Sequence, residues 1–419
     1  MTELQKEINF ITQFYIQQDM LKIFIYIIII SVSTSIYAEN DQYVLLVSMD
    51  GFRSDYLDIT DTPNFDNMSK NGIRSEGLIP VFISKTFPNH YSIATGMYAE
   101  NHGLIANSFF ASDLNKYYSM RDRKSVENGD FYGGEPIWVT AERQGVKTAS
   151  YFWVGTEAAI AGVHPSIWKR YDQKVPFDDR IDSVMTWFSL PILHRPRLVM
   201  LYFHEPDWTG HEYGPSSAET VDQIQRMDGI IGTIMEKAGN LSIADKLNVI
   251  VVSDHGMTEV HPEQTIDLSG YTNLSDVKTT GAGPTVFLSS ESSKRLTSVY
   301  NDLQQLPNAH VYWKRDIPER WHYRDHERIP EVLIIAEEGW TLMPMGHGPE
   351  MPKGTHGYDN KLTSMHAIFV ADGPAFKSGY SREVFENIHI YPLLIHILGL
   401  EPYAEIDGDL DVVKDILAH

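Results

Sequence analysis

Three stretches of nearly unbroken hydrophobicity in this chain end in acidic residues. Tyr43 to Met49, with Val44, Leu45, Leu46 and Val47, stops at Asp50-Gly51; Leu198 to Phe203 runs into Glu205-Pro206-Asp207; Asn248 to Ser253 runs into Asp254-His255-Gly256. Apolar runs without polar alternation mark strands buried on both faces, as in parallel sheets covered by helices. Ligand sites of open α/β sheets lie just beyond the carboxyl ends of such strands. Thr148 to Phe152, Val332 to Ala336 and Ala367 to Ala371 are further predicted strands. Helices are predicted between them. Thr62 precedes Pro63 at a first-turn position and Gly72 closes that segment, Pro136 opens another that Gly145 ends, and residues 388–399 read as a closing helix. Over 216–238, Val221, Ile224, Met227, Ile231 and Ile234 or Met235 share one face, and Ser216 with Glu219 has the form of a capping box. This alternation predicts an α/β fold, a mostly parallel central sheet with helices on both faces. Residues from about 261 to 345 depart from the pattern, with Pro, Ser, Asn and aromatic residues around Trp313, Trp321 and Trp340, and are expected to form a small inserted lobe.

The N-terminus points to export. Ile23 to Ile30 form an apolar run after Lys22, followed by small and polar residues up to Ala38. Residues 1–38 therefore read as a signal peptide, and Met20 is a candidate for the true start because residues 1–19 are mixed polar. The run is shorter than the ~20 apolar residues of a membrane span, so no stable span is expected once the signal is cleaved; an uncleaved anchor is the rival reading. The expected product is a periplasmic or secreted domain over 39–419. The 419 residues include no cysteine, which excludes disulfides and thiolate metal ligands. The 34 Lys and Arg against 56 Asp and Glu give a net charge of −22, so the surface lacks the basic footprint of a nucleic-acid binder and no duplex partner is expected. Phosphate chemistry would have to rest on cations inside a cleft.

The candidate chemistry lies at the strand ends. Asp207 and His211 are four apart, Asp254 and His255 are adjacent, His356 sits in K-G-T-H-G-Y-D-N, and Asp50 ends the first strand. Taken singly, an Asp-Gly is a turn, a His-Gly a loop and an Asp a helix cap. Their joint occurrence at three strand ends points to metal binding. Mixed nitrogen and oxygen ligands suit zinc, and two ions about 3.5–4 Å apart clamp an in-line displacement at phosphorus. His204, His261, His347 and His366 are left as surrounding or surface residues. In S-K-T-F-P-N-H (84–90), Pro88 is placed to open a helix just after Thr86. Its hydroxyl would then lie near backbone N–H groups, as a nucleophile toward phosphate or as a cap. Asn107 is either a donor to a phosphate oxygen or a turn residue.

The motifs V-S-M-D-G-F-R (47–53), T-P-N-F-D (62–66), K-T-F-P-N-H-Y (85–91), P-D-x-x-G-H-x-x-G-P (206–215), S-D-H-G-M (253–257) and G-T-H-G-Y-D-N (354–360) together resemble the nucleotide pyrophosphatase/phosphodiesterase family. That family belongs to the alkaline phosphatase superfamily, and the resemblance spans about residues 43–400. It implies an alkaline-phosphatase-like fold and a two-zinc phosphodiesterase acting on nucleotides. By the family pattern, Asp207, His211 and His356 would hold one Zn2+, and Asp50, Thr86, Asp254 and His255 the other. Thr86 matches the nucleophile that forms a phosphothreonine intermediate, and Asn107 matches the residue that binds a phosphate oxygen. Phe87, Tyr171 and Tyr202 match positions associated with a nucleoside pocket. The implied reaction is a double displacement, in which attack by Thr86 is followed by attack of water from the vacated side and release of a nucleoside monophosphate.

A diesterase for phospholipid or choline head groups would use the aromatic 261–345 lobe. A phosphomonoesterase of the same superfamily would need an arginine on the extra anionic oxygen, and none lies in 84–107. A sulfatase needs C/S-x-P-x-R, whereas here Thr86 starts the element and His90 stands in the arginine position. A metal-stabilised binding protein is the non-enzyme alternative. Val154 replaces a proline frequent in the family, and Lys85 is the basic residue nearest the nucleophile.

Overall fold

The computed structural model describes residues 42–344 and 351–418. The predicted signal peptide, the start at Met20 and His347 lie outside the described residues. Eight strands form the central sheet in the order Tyr380–Arg382, Ile73–Ser75, Phe369–Asp372, Leu247–Val252, Tyr43–Met49, Leu198–Phe203, Thr148–Tyr151 and Ile167–Lys169. Only Phe369–Asp372 runs against the others.

The pleat explains how one strand serves two cores. Tyr43–Met49 is buried along its whole length. Its residues alternate between faces, Val44 and Leu46 entering one apolar cluster and Tyr43, Leu45, Val47 and Met49 the other. Helices Thr86–Thr95, Ile137–Arg143 and Ile390–Leu398 supply the first cluster; Pro63–Asn71, Phe177–Phe188 and Ala218–Gly239 supply the second. In the last of these, Ile224, Met227, Ile231 and Ile234 have no solvent exposure, each contributing about 1.5–3 kcal/mol of burial. The helix begins one residue later than predicted. Ser217, not Ser216, is the cap, its hydroxyl accepting the Thr220 N–H at 3.1 Å, so Glu219 is not at the reciprocating position of a capping box.

Two predicted strands fall elsewhere than in the parallel array. Val332–Ala336 belongs to a separate antiparallel sheet, in the order Lys278–Ala282, Thr285–Ser289, Val332–Ala336, Ala309–Trp313. With helix Ser293–Leu303, that sheet encloses its own apolar cluster around Val286, Leu288, Val299 and Ile334. The run at 367–371 is realised as Phe369–Asp372, the antiparallel strand, because Ala367 instead bridges to Arg53 and Leu78. Among the described residues, no helix is long and apolar enough to cross a membrane.

In the centre of the main sheet the strands finish level. Met49 lies beside Phe203 and Ser48 beside Val252, so the residues that follow each strand emerge along one edge.

Candidate active site

Asp50 follows the first strand directly, and the turn after it depends on Gly51. Gly51 has φ +66°, and a Cβ there would lie 2.8 Å from both Cα and Cβ of Asp207. The absence of a side chain lets the Asp207 segment approach, and the Asp207 N–H donates to the Asp50 carbonyl at 2.9 Å. Asp207 opens helix Asp207–Tyr213, which carries His211 one turn further along the same face. Asp254 and His255 follow Leu247–Val252, with the Gly51 N–H and the Ser253 hydroxyl donating to Asp254 Oδ1, each at 3.2 Å. His356 follows the short strand Gly354–Thr355, which pairs with Thr258–Glu259.

These side chains converge as two groups, Asp207 with His211 and His356, and Asp50 with Asp254 and His255. In the first, His211 Nε2 and His356 Nε2 lie 3.5 and 3.7 Å from Asp207 Oδ1. In the second, His255 Nε2 lies 3.5 Å from Asp50 Oδ1 and 3.0 Å from Asp254 Oδ2. Donors placed tetrahedrally about 2.0–2.2 Å from a cation are about 3.3–3.6 Å apart, so the spacing fits a small divalent ion. The groups adjoin, the His255 and His356 rings being stacked with centroids 3.5 Å apart.

Each imidazole is oriented from behind. Nδ1–H of His211 donates to the Gly354 carbonyl at 2.7 Å, that of His356 to Ser84 at 2.7 Å and that of His255 to Gly256 at 2.9 Å. This turns each Nε2 toward the centre, the arrangement that supports metal-binding histidines; at His255 burial opposes the charged ring, but Asp254 outweighs it and raises the pKa. Asp50 Oδ1, Asp207 Oδ1 and Asp254 Oδ2 are buried without a hydrogen-bond partner. Orphaned carboxylate oxygens are costly unless a cation meets them. Burial, Asp254 and Asp207 together raise the Asp50 carboxyl well above its ordinary range. Burial also opposes ionisation of Asp254, but His255 and His90 outweigh it and hold that carboxyl low. For His356, burial and the neighbouring His255, Lys85 and His211 keep the ring neutral.

Thr86 is the first residue of helix Thr86–Thr95, and Lys85 is the residue at the cap. The Thr86 hydroxyl makes no capping bond; it lies 3.2 Å from His255 Nε2, beside the second group. His90, one turn on, accepts or donates at the Ser48 hydroxyl (2.8 Å) and reaches the Thr86 carbonyl (2.9 Å), bracing this helix against the first strand. Asn107 Oδ1 accepts the Phe87 N–H at 2.9 Å, which directs the amide and leaves its NH2 as a donor. Lys85 Nζ donates to the His356 carbonyl at 2.6 Å, and burial lowers its pKa to about 8.

A cavity of about 220 Å³ opens from Asp50, Thr86 and Asp207. Phe87, Tyr171 and Tyr202 line it, and the Tyr202 hydroxyl also donates to Asp50 Oδ2 at 2.5 Å, tying this residue to the group of Asp50, Asp254 and His255. His204, expected only in the surroundings, is a wall residue; burial, Arg180 and Arg226 lower its pKa to about 4. Val154 is also part of the wall. His261 is exposed, and His366 is buried against Gly77, outside both groups. The sequence did not single out Phe152, the paired Arg123 and Glu157, or Trp208, all of which line the cavity. Trp208 alone had a positional signal, being adjacent to Asp207.

Residues 44–359 match the family model described as type I phosphodiesterase / nucleotide pyrophosphatase. The chain is 39% identical over 382 residues to bis(5'-adenosyl)-triphosphatase enpp4 of Mus musculus, covering 89% of this chain and 81% of that protein. It is 36% identical over 393 residues to human ectonucleotide pyrophosphatase/phosphodiesterase family member 5, covering 93% and 81%. The solved structure of the murine family member 5 superimposes with a TM-score of 0.86 at 36% identity, over 90% of this chain and 100% of that one. A murine family member 5 structure described as an inactive threonine-to-alanine variant in complex with AMP gives the same TM-score of 0.86 at 35% identity, over 90% of this chain and 100% of that one. The fold is accordingly the alkaline-phosphatase-like α/β fold. This chain belongs to the type I phosphodiesterase / nucleotide pyrophosphatase family and is a hydrolase of phosphoric diester and anhydride bonds.

Proposed function

We propose that the chain cleaves nucleotide substrates in two displacements at phosphorus, with Thr86 as nucleophile and a nucleoside monophosphate as product. One observation carries the reading: the Thr86 hydroxyl, freed from capping, faces the Asp50, Asp254 and His255 group on the floor of an aromatic cavity. Two Zn2+ are the ions we assign, one to Asp207, His211 and His356 and the other to Asp50, Asp254, His255 and Thr86. When bound, they supply positive charge that favours loss of the threonine proton and offsets charge on the phosphate oxygens.

The protein's own groups account for the rest. The Thr86 oxygen bonds to phosphorus while the leaving alkoxide or phosphate departs from the opposite side. The Asn107 NH2 donates to a non-bridging oxygen as its charge grows. Phe87 and Tyr171 hold the nucleoside, fixing which phosphorus meets Thr86. Water then attacks from the vacated side, releasing the monophosphate and restoring the hydroxyl. The names of the relatives support this reading, one being a bis(5'-adenosyl)-triphosphatase and one inactive without its threonine and bound to AMP. Among the described residues, the wall of this cavity includes none from 261–345, which favours a nucleotide over a phospholipid head group held by that lobe; Gly281, Ala282 and Phe287 border a neighbouring cavity beside Lys85 and Asn107. A monoesterase clamp is unsupported, because Arg123 in the wall is already paired with Glu157. We assign 39–419 as the catalytic domain, with 261–345 as its inserted lobe, and a destination outside the cytoplasm.

The test is Thr86→Ala, assayed on diadenosine triphosphate and bis-p-nitrophenyl phosphate with products identified by mass and bound metal counted. Turnover should vanish while metal is retained. Near-normal hydrolysis by the variant refutes the nucleophile, and faster cleavage of p-nitrophenyl phosphate than of the diester refutes the substrate class.

A further inference from the structure

Trp208 is 55% exposed, although an indole is among the costliest side chains to leave in water. It stands in the wall of the cavity that Phe87 and Tyr171 also line. Among the described residues, no aromatic ring or cation faces it, and its Nε1 has no hydrogen-bond partner. The contrast with Trp168 is instructive: that residue is also exposed, at 37%, but is stacked on His164 with centroids 4.9 Å apart. The backbone beneath Trp208 is firmly placed. Asp207 N–H is held by the Asp50 carbonyl at 2.9 Å and Gly210 N–H by Pro206 at 2.8 Å, so the ring hangs from a fixed base beside a metal-binding residue.

We propose that Trp208 is a specificity-determining residue whose indole packs on the nucleoside of the substrate at the cavity mouth, completing an aromatic enclosure begun by Phe87 and Tyr171. The inference rests on the nucleotide reading above. A flat, uncharged ring with an unused face binds a base or the apolar face of a ribose, and it favours nucleosides over small diesters without choosing among bases. A lipid surface or a protein partner is a poorer fit. The neighbouring Asp207 and Glu212 make this rim acidic like the protein as a whole, and a docking surface needs more than one apolar side chain.

The experiment compares Trp208→Ala and Trp208→Phe on two substrates with one leaving group: the p-nitrophenyl ester of thymidine 5'-monophosphate, and methyl p-nitrophenyl phosphate, which has no nucleoside. For Trp208→Ala, KM for the nucleoside ester should rise about tenfold with kcat little changed, and Trp208→Phe should recover most of the loss. The methyl ester should change by less than about twofold in either variant. Melting temperature and bound metal should match the parent, because the ring is exposed. Adding AMP should quench tryptophan fluorescence in the parent more than in Trp208→Phe. An unchanged KM for the nucleoside ester in Trp208→Ala, while Tyr171→Ala raises it, overturns the inference and leaves the nucleotide reading standing. Equal losses on both substrates also overturn it, marking Trp208 as a support for the metal centre or as part of a macromolecular surface. A parent enzyme that prefers the methyl ester overturns both the inference and the reading beneath it.

Discussion

Removing one oxygen atom from Tyr202 tests how the metal centre depends on the posture of Asp50. Asp50 is 2% exposed; its Oδ2 accepts the Tyr202 hydroxyl at 2.5 Å, and its Oδ1, without a protein partner, lies 3.5 Å from His255 Nε2. The phenol thus selects which oxygen meets the centre. Its ring packs edge-on against His90 with centroids 5.3 Å apart, and phenylalanine would keep that contact and leave no cavity. What is lost is one hydrogen bond to a carboxylate, about 1.5–3 kcal/mol, or roughly 10–150-fold in an equilibrium constant. The hydroxyl also bonds Asp50 in metal-free protein, so only part of this reaches the affinity, and about 10–100-fold is typical for such outer partners. Tyr202→Phe should therefore weaken one of the two metal sites at least about tenfold and spare the Asp207, His211 and His356 group. The assay returns Zn2+ to stripped protein in a competing chelator buffer, following bound metal and hydrolysis together. At saturating metal, turnover should recover to within a few-fold of the parent. Unchanged affinity at both sites, or equal loss at both, would refute the reasoning and leave Tyr202 as cavity wall alone.

Two further outcomes follow from the same geometry. Asn107→Asp keeps the acceptor for the Phe87 N–H but replaces the NH2 donor with a negative charge, so kcat should fall at least about 100-fold with melting temperature held; a kcat near the parent's would exclude the phosphate-oxygen role. His102 is fully buried and neutral, its Nδ1 accepting the Leu104 N–H at 3.1 Å and its Nε2–H reaching the Ser92 hydroxyl at 2.9 Å; burial chiefly lowers its pKa to about 3. The unfolded chain takes up this proton below about pH 6.5 and the folded chain does not, so stability is full above that pH and is lost as pH falls toward 3. Urea midpoints at pH 7 and 4.5 should show an acid loss smaller in His102→Gln by on the order of 2 kcal/mol, and an identical loss in both proteins would refute the assignment.

How much of this was legible in the chain depends on what each signal reports. Tyr43–Met49, Leu198–Phe203 and Leu247–Val252 were readable because burial on both faces removes polar alternation, and their ends were readable because acids and histidines are conspicuous after such runs. The same signal marked Val332–Ala336 as a strand but not its partners, since an unbroken apolar run reports burial without saying in which sheet. Ser216 and Ser217 offer the same hydroxyl one residue apart, and the backbone conformation that makes Ser217 the cap is set by packing. Thr86 stayed ambiguous because a cap and a nucleophile both need a hydroxyl at a helix start, and the sequence does not carry the direction of Oγ1, which in the folded chain points toward His255. The cavity walls were least visible. Arg123, Phe152 and Trp208 come from separate segments with no common spacing, and only the folded sheet brings them together.

The way the centre is assembled explains why its parts lie so far apart in sequence. A single loop carrying three carboxylates could relax by turning them outward into water. Here each acid is anchored to a strand end or to a helix pinned by Asp50, and the neighbouring strands are held in register by the ladder. Gly51 then lets the Asp207 backbone come in against Asp50 at a distance no side chain would allow. The three orphaned oxygens lie buried without a protein partner, at about 1–3 kcal/mol for each buried group left unpaired. Rigidity of the sheet therefore converts an electrostatic liability into a preformed cation site. It also explains why the hydroxyl of Thr86 sits at the edge of that site, where the helix start is braced by His90 against the same central strand.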